Sequence, residues 1–225
     1  KQTPKVKNIL LKKAKQERAP VTELGPISNI SVTTSGTSFQ YKNNQYFTPL
    51  IGNHQALNAG LAIECIKQFE PQLQNHMINY GLKKVCWPAR IQQLDDRLYY
   101  DVAHNAHGIY TVLNIFRSWW NKKPLGVLVL KSEKNINLIT PILKDSFSEL
   151  IVTSLPNVGI LPAETLWKTL KREGIPCTMI NDVNIALTTL TENVNNDTPG
   201  LIFGSHYIAN AIFEFFSFSF DNGVI

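Results

Sequence analysis

Residues 101–107 read D-V-A-H-N-A-H, an acid, two histidines and an asparagine close enough together to share one site. Apolar, strand-like runs at residues 90–94 and 98–102 flank the turn Asp95-Asp96-Arg97 just before it. Ligands of open α/β sheets sit in the crevice outside the carboxyl ends of the strands, where a carboxylate can accept both hydroxyls of a ribose. Asp101, His104 and Asn105 fall at such an end. They equally suit an ordinary strand–loop–helix joint with Asn105 near the helix start. Arg90 follows Trp87-Pro88, and a guanidinium there can fork onto phosphate oxygens and stabilise charge that develops in phosphoryl transfer. Its plain alternative is an edge arginine paired with Asp95 or Asp96. Ser205 follows Gly204 and opens a helix expected over residues 207–216, a place that favours carboxylate binding or simply an N-cap. Lys131, at the end of a strand expected over 125–130, can pair with a substrate carboxylate.

Other chemistries find less support. His104-x-x-His107 has metal-ligand spacing, but zinc takes three or four ligands and no Cys/His/Asp cluster supplies the rest, so no metal ligand is assigned. His76 and His206 read as ordinary surface or helix-end histidines. No G-x-x-x-x-G-K-[S/T] occurs, so the phosphate cradle of an ATPase is absent from these 225 residues. Cys65, Cys86 and Cys177 are odd in number and widely spaced, which argues against a disulfide framework. They read as small buried hydrophobes in a reducing cytoplasm.

The elements that must position these residues fall into two rhythms. Over residues 1–82 the pattern predicts an amphipathic helix at 5–15, with strands at 27–34, 38–41 and 45–50. The last two make a hairpin around Lys42-Asn43-Asn44. Helices follow at 54–69, capped by Asn53 and ended by Pro71, and at 72–80, with Leu73, Met77 and Tyr80 on one stripe and Gly81 just beyond. Residues 83–88 read as a linker. From residue 89 strands and helices alternate, with strands at 90–94, 98–102, 125–130, 150–153, 177–180 and 201–203. Helices are expected at 108–121, 137–147, 162–173, 183–193 and 207–216, Pro141 being awkward unless its helix begins at Thr140. Alternation implies an α/β fold, a Rossmann-like domain with a mostly parallel sheet of about six strands.

Four segments then come in a telling order: G-x-HQ-x-x-NA at 52–59, WP-x-R at 87–90, D-x-AHN at 101–105 and FGS at 203–205. Together they resemble the folylpolyglutamate synthase/dihydrofolate synthase family, the folate branch of the ATP-dependent amide ligases that include the Mur ligases. The resemblance runs over residues 5–216 and implies the C-terminal half of such an enzyme. Residues 1–82 are then the C-terminal part of an α/β ATP-binding central domain, and 89–225 the Rossmann-like C-terminal domain. The implied reaction uses magnesium ATP to make an acyl phosphate from a dihydropteroate or folate carboxylate, which the amine of L-glutamate attacks.

By the same resemblance Arg90 contacts the ATP phosphates, although Ala89 stands where the family's P-G-R motif has glycine. Asp101 binds the ATP ribose, with Val102 replacing a glycine. His104 and Asn105 lie beside the phosphates and the incoming amino acid, Arg90 and His104 serve catalysis, and Asn58 meets the adenine. Asn58 has its own bland reading as a helix-start residue with a local hydrogen bond. His104, Lys131 and Ser205 hold the glutamate. The family's Lys-Asp pair reads Lys131-Ser132-Glu133 here, and Asn157-Val158-Gly159 replaces an expected arginine. The phosphate loop and most magnesium ligands belong to the family's first domain, so this chain alone is expected to be inactive. Two rivals remain. One is a Mur-type ligase fragment, against which His54-Gln55 and Trp87-Pro88 speak. The other is a non-catalytic binding module, which would need none of Arg90, Asp101 and Asn58.

Composition bounds these readings. With 44% hydrophobic and 17% charged residues the chain has material for a packed core. Seven of its 22 Lys/Arg lie in residues 1–20 against the single acid Glu17, and the rest is nearly neutral. A basic first helix on a neutral body reads as a solvated face, so no nucleic-acid partner is expected. No apolar run approaches a membrane span and no signal peptide opens the chain. A cytoplasmic monomer acting on small molecules is the expectation. The start at Lys1 reads as that of a fragment.

Overall fold

The computed structural model describes residues 2–156, 159–195 and 197–218, which form two compact units, Lys1–Val85 and Cys86–Ile225. The first begins with helix α1 (Pro4–Gln16), capped by Thr3 and without a buried residue. Strands β1 (Ile27–Thr33), β2 (Gly36–Tyr41) and β3 (Asn44–Thr48) form an antiparallel sheet in that order. Lys42 and Asn43 make the β2–β3 turn with φ of 46° and 62°, the two left-handed residues that a tight hairpin needs to match strand twist.

Helix α2 (Asn53–Phe69) follows, and its cap is Gly52, not Asn53 as expected from sequence. Gly52 sits at φ 124° and its N–H donates to the buried Thr37 hydroxyl at 2.9 Å, so the turn is anchored to β2 and the helix starts one residue early. Helix α3 runs from Asn75 to Lys83, later than the expected 72–80, and takes in Gly81 and the first residue of the expected linker. The expected stripe fails too, because Met77 and Tyr80 are exposed and Ile78 is buried. The face turned to β3 carries Ile78 and Asn79, whose Oδ1 accepts the Phe47 N–H at 3.1 Å. The core of this unit joins Phe39, Tyr41 and Tyr46 to Ala56, Ala59, Ile63 and Ile78.

In the second unit six strands form one sheet: β4 (Gln92–Asp95), β5 (Leu98–Asp101), β6 (Leu125–Leu128), β7 (Glu149–Val152), β8 (Cys177–Met179) and β9 (Gly200–Phe203). Their order is β4-β5-β9-β6-β7-β8, antiparallel only between β4 and β5. This is the mostly parallel, Rossmann-like sheet that alternation implied. Helices α4 (Ala106–Trp119), α5 (Thr140–Leu143), α6 (Ala163–Arg172) and α7 (Val183–Asn193) connect the strands, and α8 (Ala209–Phe215) follows β9. Val127, Ile202 and Tyr100 from three adjacent strands pack with Leu187 and Leu190 of α7 and Ile212 and Phe213 of α8.

Three sequence expectations change here. The strand expected from residue 90 begins at Gln92, because Ala89 and Ile91 take φ of 58° and 49°, values no strand admits. The helix expected over 137–147 breaks into a single 3₁₀ turn, Ile136–Leu138, and α5, whose first turn holds Pro141. Proline lacks the N–H a longer helix would need, and the first turn is where it is tolerated. Cys65 and Cys86 are exposed, and of the three only Cys177 is buried. Asn157 and Val158 lie outside the described residues.

Candidate functional site

Strands β5, β9 and β6 are neighbours, and Phe203 pairs with Asp101 on one side and Leu128 on the other. Their carboxyl ends are therefore level. The chain leaves them toward His104, Ser205 and Lys131, and all three line one open cleft of about 280 Å³ together with Glu133, Lys134, Gly204 and His206. The three residues assigned to the amino-acid substrate from sequence thus meet at the carboxyl edge of the sheet, where α/β sheets bind ligands.

Gly204 makes that meeting possible. It sits at φ 106°, and a Cβ there would lie 2.2 Å from the Val129 carbonyl oxygen. Ser205 is then drawn inside, 1% exposed, its hydroxyl accepting the Tyr207 N–H at 3.1 Å and its carbonyl accepting the Tyr100 hydroxyl at 2.9 Å. The helix expected to open at Ser205 begins only at Ala209. Ser205 therefore caps a turn rather than a helix, and the helix-dipole part of its expected role is lost. The reason is local: Ser205 Oγ takes the N–H of Tyr207, and that turn delays the helix.

Lys131 bridges Glu133 at 3.1 Å and lies 5.2 Å over the Tyr207 ring, while Lys134 reaches the same carboxylate at 3.4 Å. The bond to Glu133 raises the Lys131 ammonium, and the two lysines hold the Glu133 carboxyl below its usual range. From sequence Glu133 is only a departure from a Lys-Asp pair, Lys134 goes unremarked, and His206 reads as an ordinary surface or helix-end histidine, whereas all three line the cleft. The available signal was the K-S-E-K run itself, in which a turn from Lys131 to Lys134, closed by the Lys134 N–H on the Lys131 carbonyl at 3.0 Å, sets two cations around one acid. His104 Nδ1 lies 2.8 Å from the Val102 carbonyl oxygen. A carbonyl only accepts, so Nδ1 is assigned the proton and a neutral ring keeps Nε2 as an acceptor.

Asp101 is 7% exposed and turns both oxygens to backbone, Oδ2 accepting the Ile91 N–H at 2.9 Å and Oδ1 the Ala103 N–H at 2.7 Å. Burial pushes its carboxyl up to about 6, against these two bonds and the nearby Arg90 charge, which favour the ionised form. A ribose clasp needs an outward-facing carboxylate; this one holds the left-handed Ile91, next to Arg90. Among the described residues Arg90 donates to the Ala89 carbonyl, at 3.2 Å, and makes no ion pair with Asp95 or Asp96. Asn105 is the N-cap of α4, its Oδ1 accepting the Gly108 N–H at 2.8 Å. In the first unit Asn58 is exposed and donates to Gln55 Oε1 at 3.1 Å, the local bond of its bland reading.

Among the described residues no group of three or more His, Cys, Asp or Glu could hold a metal ion, and no helix is long and apolar enough to cross a membrane.

No family model matches the chain. Curated relatives do, two of them over most of the chain. It is 26% identical over 170 residues to a folylpolyglutamate synthase of Lacticaseibacillus casei, covering 73% of this chain and 39% of that protein. It is 25% identical over 181 residues to a dihydrofolate synthase/folylpolyglutamate synthase of Mycobacterium tuberculosis, covering 73% and 37%. The chain resembles the folylpolyglutamate synthases. The fold agrees: a Mycobacterium tuberculosis folylpolyglutamate synthase complexed with ADP and AMPPCP superposes with a TM-score of 0.85 at 24% identity, covering 96% of this chain and 54% of that one. A bifunctional folylpolyglutamate synthase/dihydrofolate synthase with Mn, AMPPNP and L-glutamate bound gives 0.68 at 21% identity, covering 91% and 50%. This chain spans about half of those folylpolyglutamate synthase structures and under two-fifths of the curated relatives it matches.

Proposed function

We propose that this chain is the C-terminal half of an ATP-dependent carboxylate–amine ligase that adds L-glutamate to dihydropteroate or a folate, as folylpolyglutamate synthase/dihydrofolate synthases do. The observation that carries the reading is the convergence of His104, Lys131 and Ser205 at three level strand ends. The similarity to folylpolyglutamate synthases in sequence, and the L-glutamate and nucleotide bound by structures of the same fold, support it.

In this reading the acceptor carboxylate takes the γ-phosphoryl group of ATP, releasing ADP, and the glutamate amine displaces phosphate from the acyl phosphate, losing a proton as the amide forms. An amide ligase must hold three charged partners in line and keep water from the acyl phosphate. The cleft does the first for the amino acid. Lys131 and Ser205 anchor its carboxylates, and His104 Nε2 is an acceptor for its amine. Arg90 supplies phosphate stabilisation; its charge lies near Asp101, and among the described residues no salt bridge occupies its fork. Asp101 enters as a positioning residue, fixing the backbone that carries Arg90. Asn105 belongs to the nucleotide side in this proposal; Asn58, in the first unit, keeps the adenine role that the family resemblance implies. Among the described residues no cluster of His, Cys, Asp or Glu fits magnesium.

A titration of the isotope-labelled chain with L-glutamate, followed by amide chemical shifts, tests the cleft. The largest shifts are expected at His104, at 131–134 and at 204–207. Shifts confined to other faces, or none at tens of millimolar, would falsify the amino-acid role.

A further inference from the structure

Three formal charges converge in the cleft: the Lys131 and Lys134 ammonium groups and the Glu133 carboxylate between them, at 3.1 and 3.4 Å. The lysine side chains are only 25% and 26% exposed, whereas Glu133 is 59% exposed, so the lysines form the wall and the acid is the part that can swing. Tyr207, under the Lys131 ammonium, keeps that cation from following. A dicarboxylic α-amino acid carries the mirror set, two carboxylates and one ammonium. We propose that Glu133 is the specificity-determining counter-charge of this cleft: together with the His104 acceptor it takes the ammonium of a dicarboxylic amino acid, while the carboxylates held on the Lys131 and Ser205 side take over Lys131 and Lys134 from it.

This rests on the amino-acid reading above and deepens it. In the unliganded chain Glu133 stands in for the ligand's carboxylates on both lysines. When the ligand enters, every charge exchanges one partner for another and none is left bare. A dicarboxylate without an ammonium strips Glu133 of both lysines and faces it with like charge, a repulsive element that rejects the wrong ligand. An amino acid with a single carboxylate leaves one lysine on Glu133, where it competes with the ammonium. The lysines hold the Glu133 carboxyl below its usual range, which keeps it negative at neutral pH.

L-Glutamate and glutarate differ by the ammonium alone and serve as probes. The wild-type chain is expected to bind L-glutamate roughly three- to fivefold more tightly than glutarate, the range of an exposed ion pair. Glu133→Gln brings the ratio to about one, with weaker glutamate and stronger glutarate, and Glu133→Asp keeps the preference. Thermal melts of both variants control for folding, since the side chain is largely exposed. An unchanged ratio in Glu133→Gln, with glutamate still bound, overturns the counter-charge role and leaves the amino-acid cleft standing. Failure of the wild-type chain to bind either probe overturns both.

Discussion

Asp101 couples the stability of the second unit to pH. Its carboxyl titrates at about 6 in the folded chain, against about 3.9 in an unfolded one. The folded state therefore binds that proton more tightly. Stability from this group is full below about pH 4 and is lost as pH rises through about 6. Asparagine cannot titrate, and its one oxygen cannot serve both the Ile91 and Ala103 N–H groups. Asp101→Asn is accordingly expected to be less stable than wild type at pH 4 by on the order of 1–3 kcal/mol, with the gap narrowing by pH 8. Denaturant unfolding across that range measures it, and parallel profiles count against this account of the carboxyl. The strand-end place of Asp101 was legible in the sequence. Its inward turn was not, because it depends on a left-handed residue ten positions upstream. Lys131, His104 and Ser205 were legible for the opposite reason, since each stands two or three residues beyond a strand that alternation alone predicts.

At the scale of elements, the site depends on how the chain leaves β9. Gly204 and Gly174 both sit at positive φ, 106° and 72°, but only Gly204 has backbone where a Cβ would go; nothing lies within 4 Å at Gly174. Gly174→Ala should cost about 1–2 kcal/mol, the left-handed penalty alone. Gly204→Ala adds a clash with the Val129 carbonyl, so a loss above about 3 kcal/mol is expected, with the glutamate response abolished in whatever still folds. Equal losses in thermal melts of the two variants would show that φ, and not the close approach, governs Gly204. The strand and helix count among the described residues followed from alternating apolar runs. Helix starts were the weaker part. Asn53 carries the right side chain for a cap, yet Gly52 takes the position because its N–H is claimed by Thr37 from another strand. Ser205 looks like a helix opener, and the Tyr207 N–H delays the helix to Ala209. The first competition comes from a tertiary contact that no local pattern carries, and the second from a local turn that residue type alone does not rank above a helix cap.

For the whole molecule, the described residues contain a six-stranded, mostly parallel sheet with a cleft at its carboxyl edge, the 225 residues hold no phosphate loop, and they match about half of the folylpolyglutamate synthase structures they resemble. The central claim is that this chain supplies the amino-acid side and the Arg90 guanidinium of an ATP-dependent glutamate ligase. A turnover assay tests it most directly, with dihydropteroate or a folate, L-glutamate and magnesium ATP. The chain is assayed alone and within a protein that joins it to a phosphate-loop half. No product is expected from the chain alone; the joined protein should release one ADP per amide formed. Arg90→Ala in the joined protein should lower turnover by roughly 30- to 1,000-fold, about 2–4 kcal/mol, with a modest change in the KM for ATP. Arg90→Lys should recover little, because an ammonium loses the planar fork. Amide formation by the chain alone, ADP release without amide, or near-normal turnover in both Arg90 variants is the result that would contradict the account.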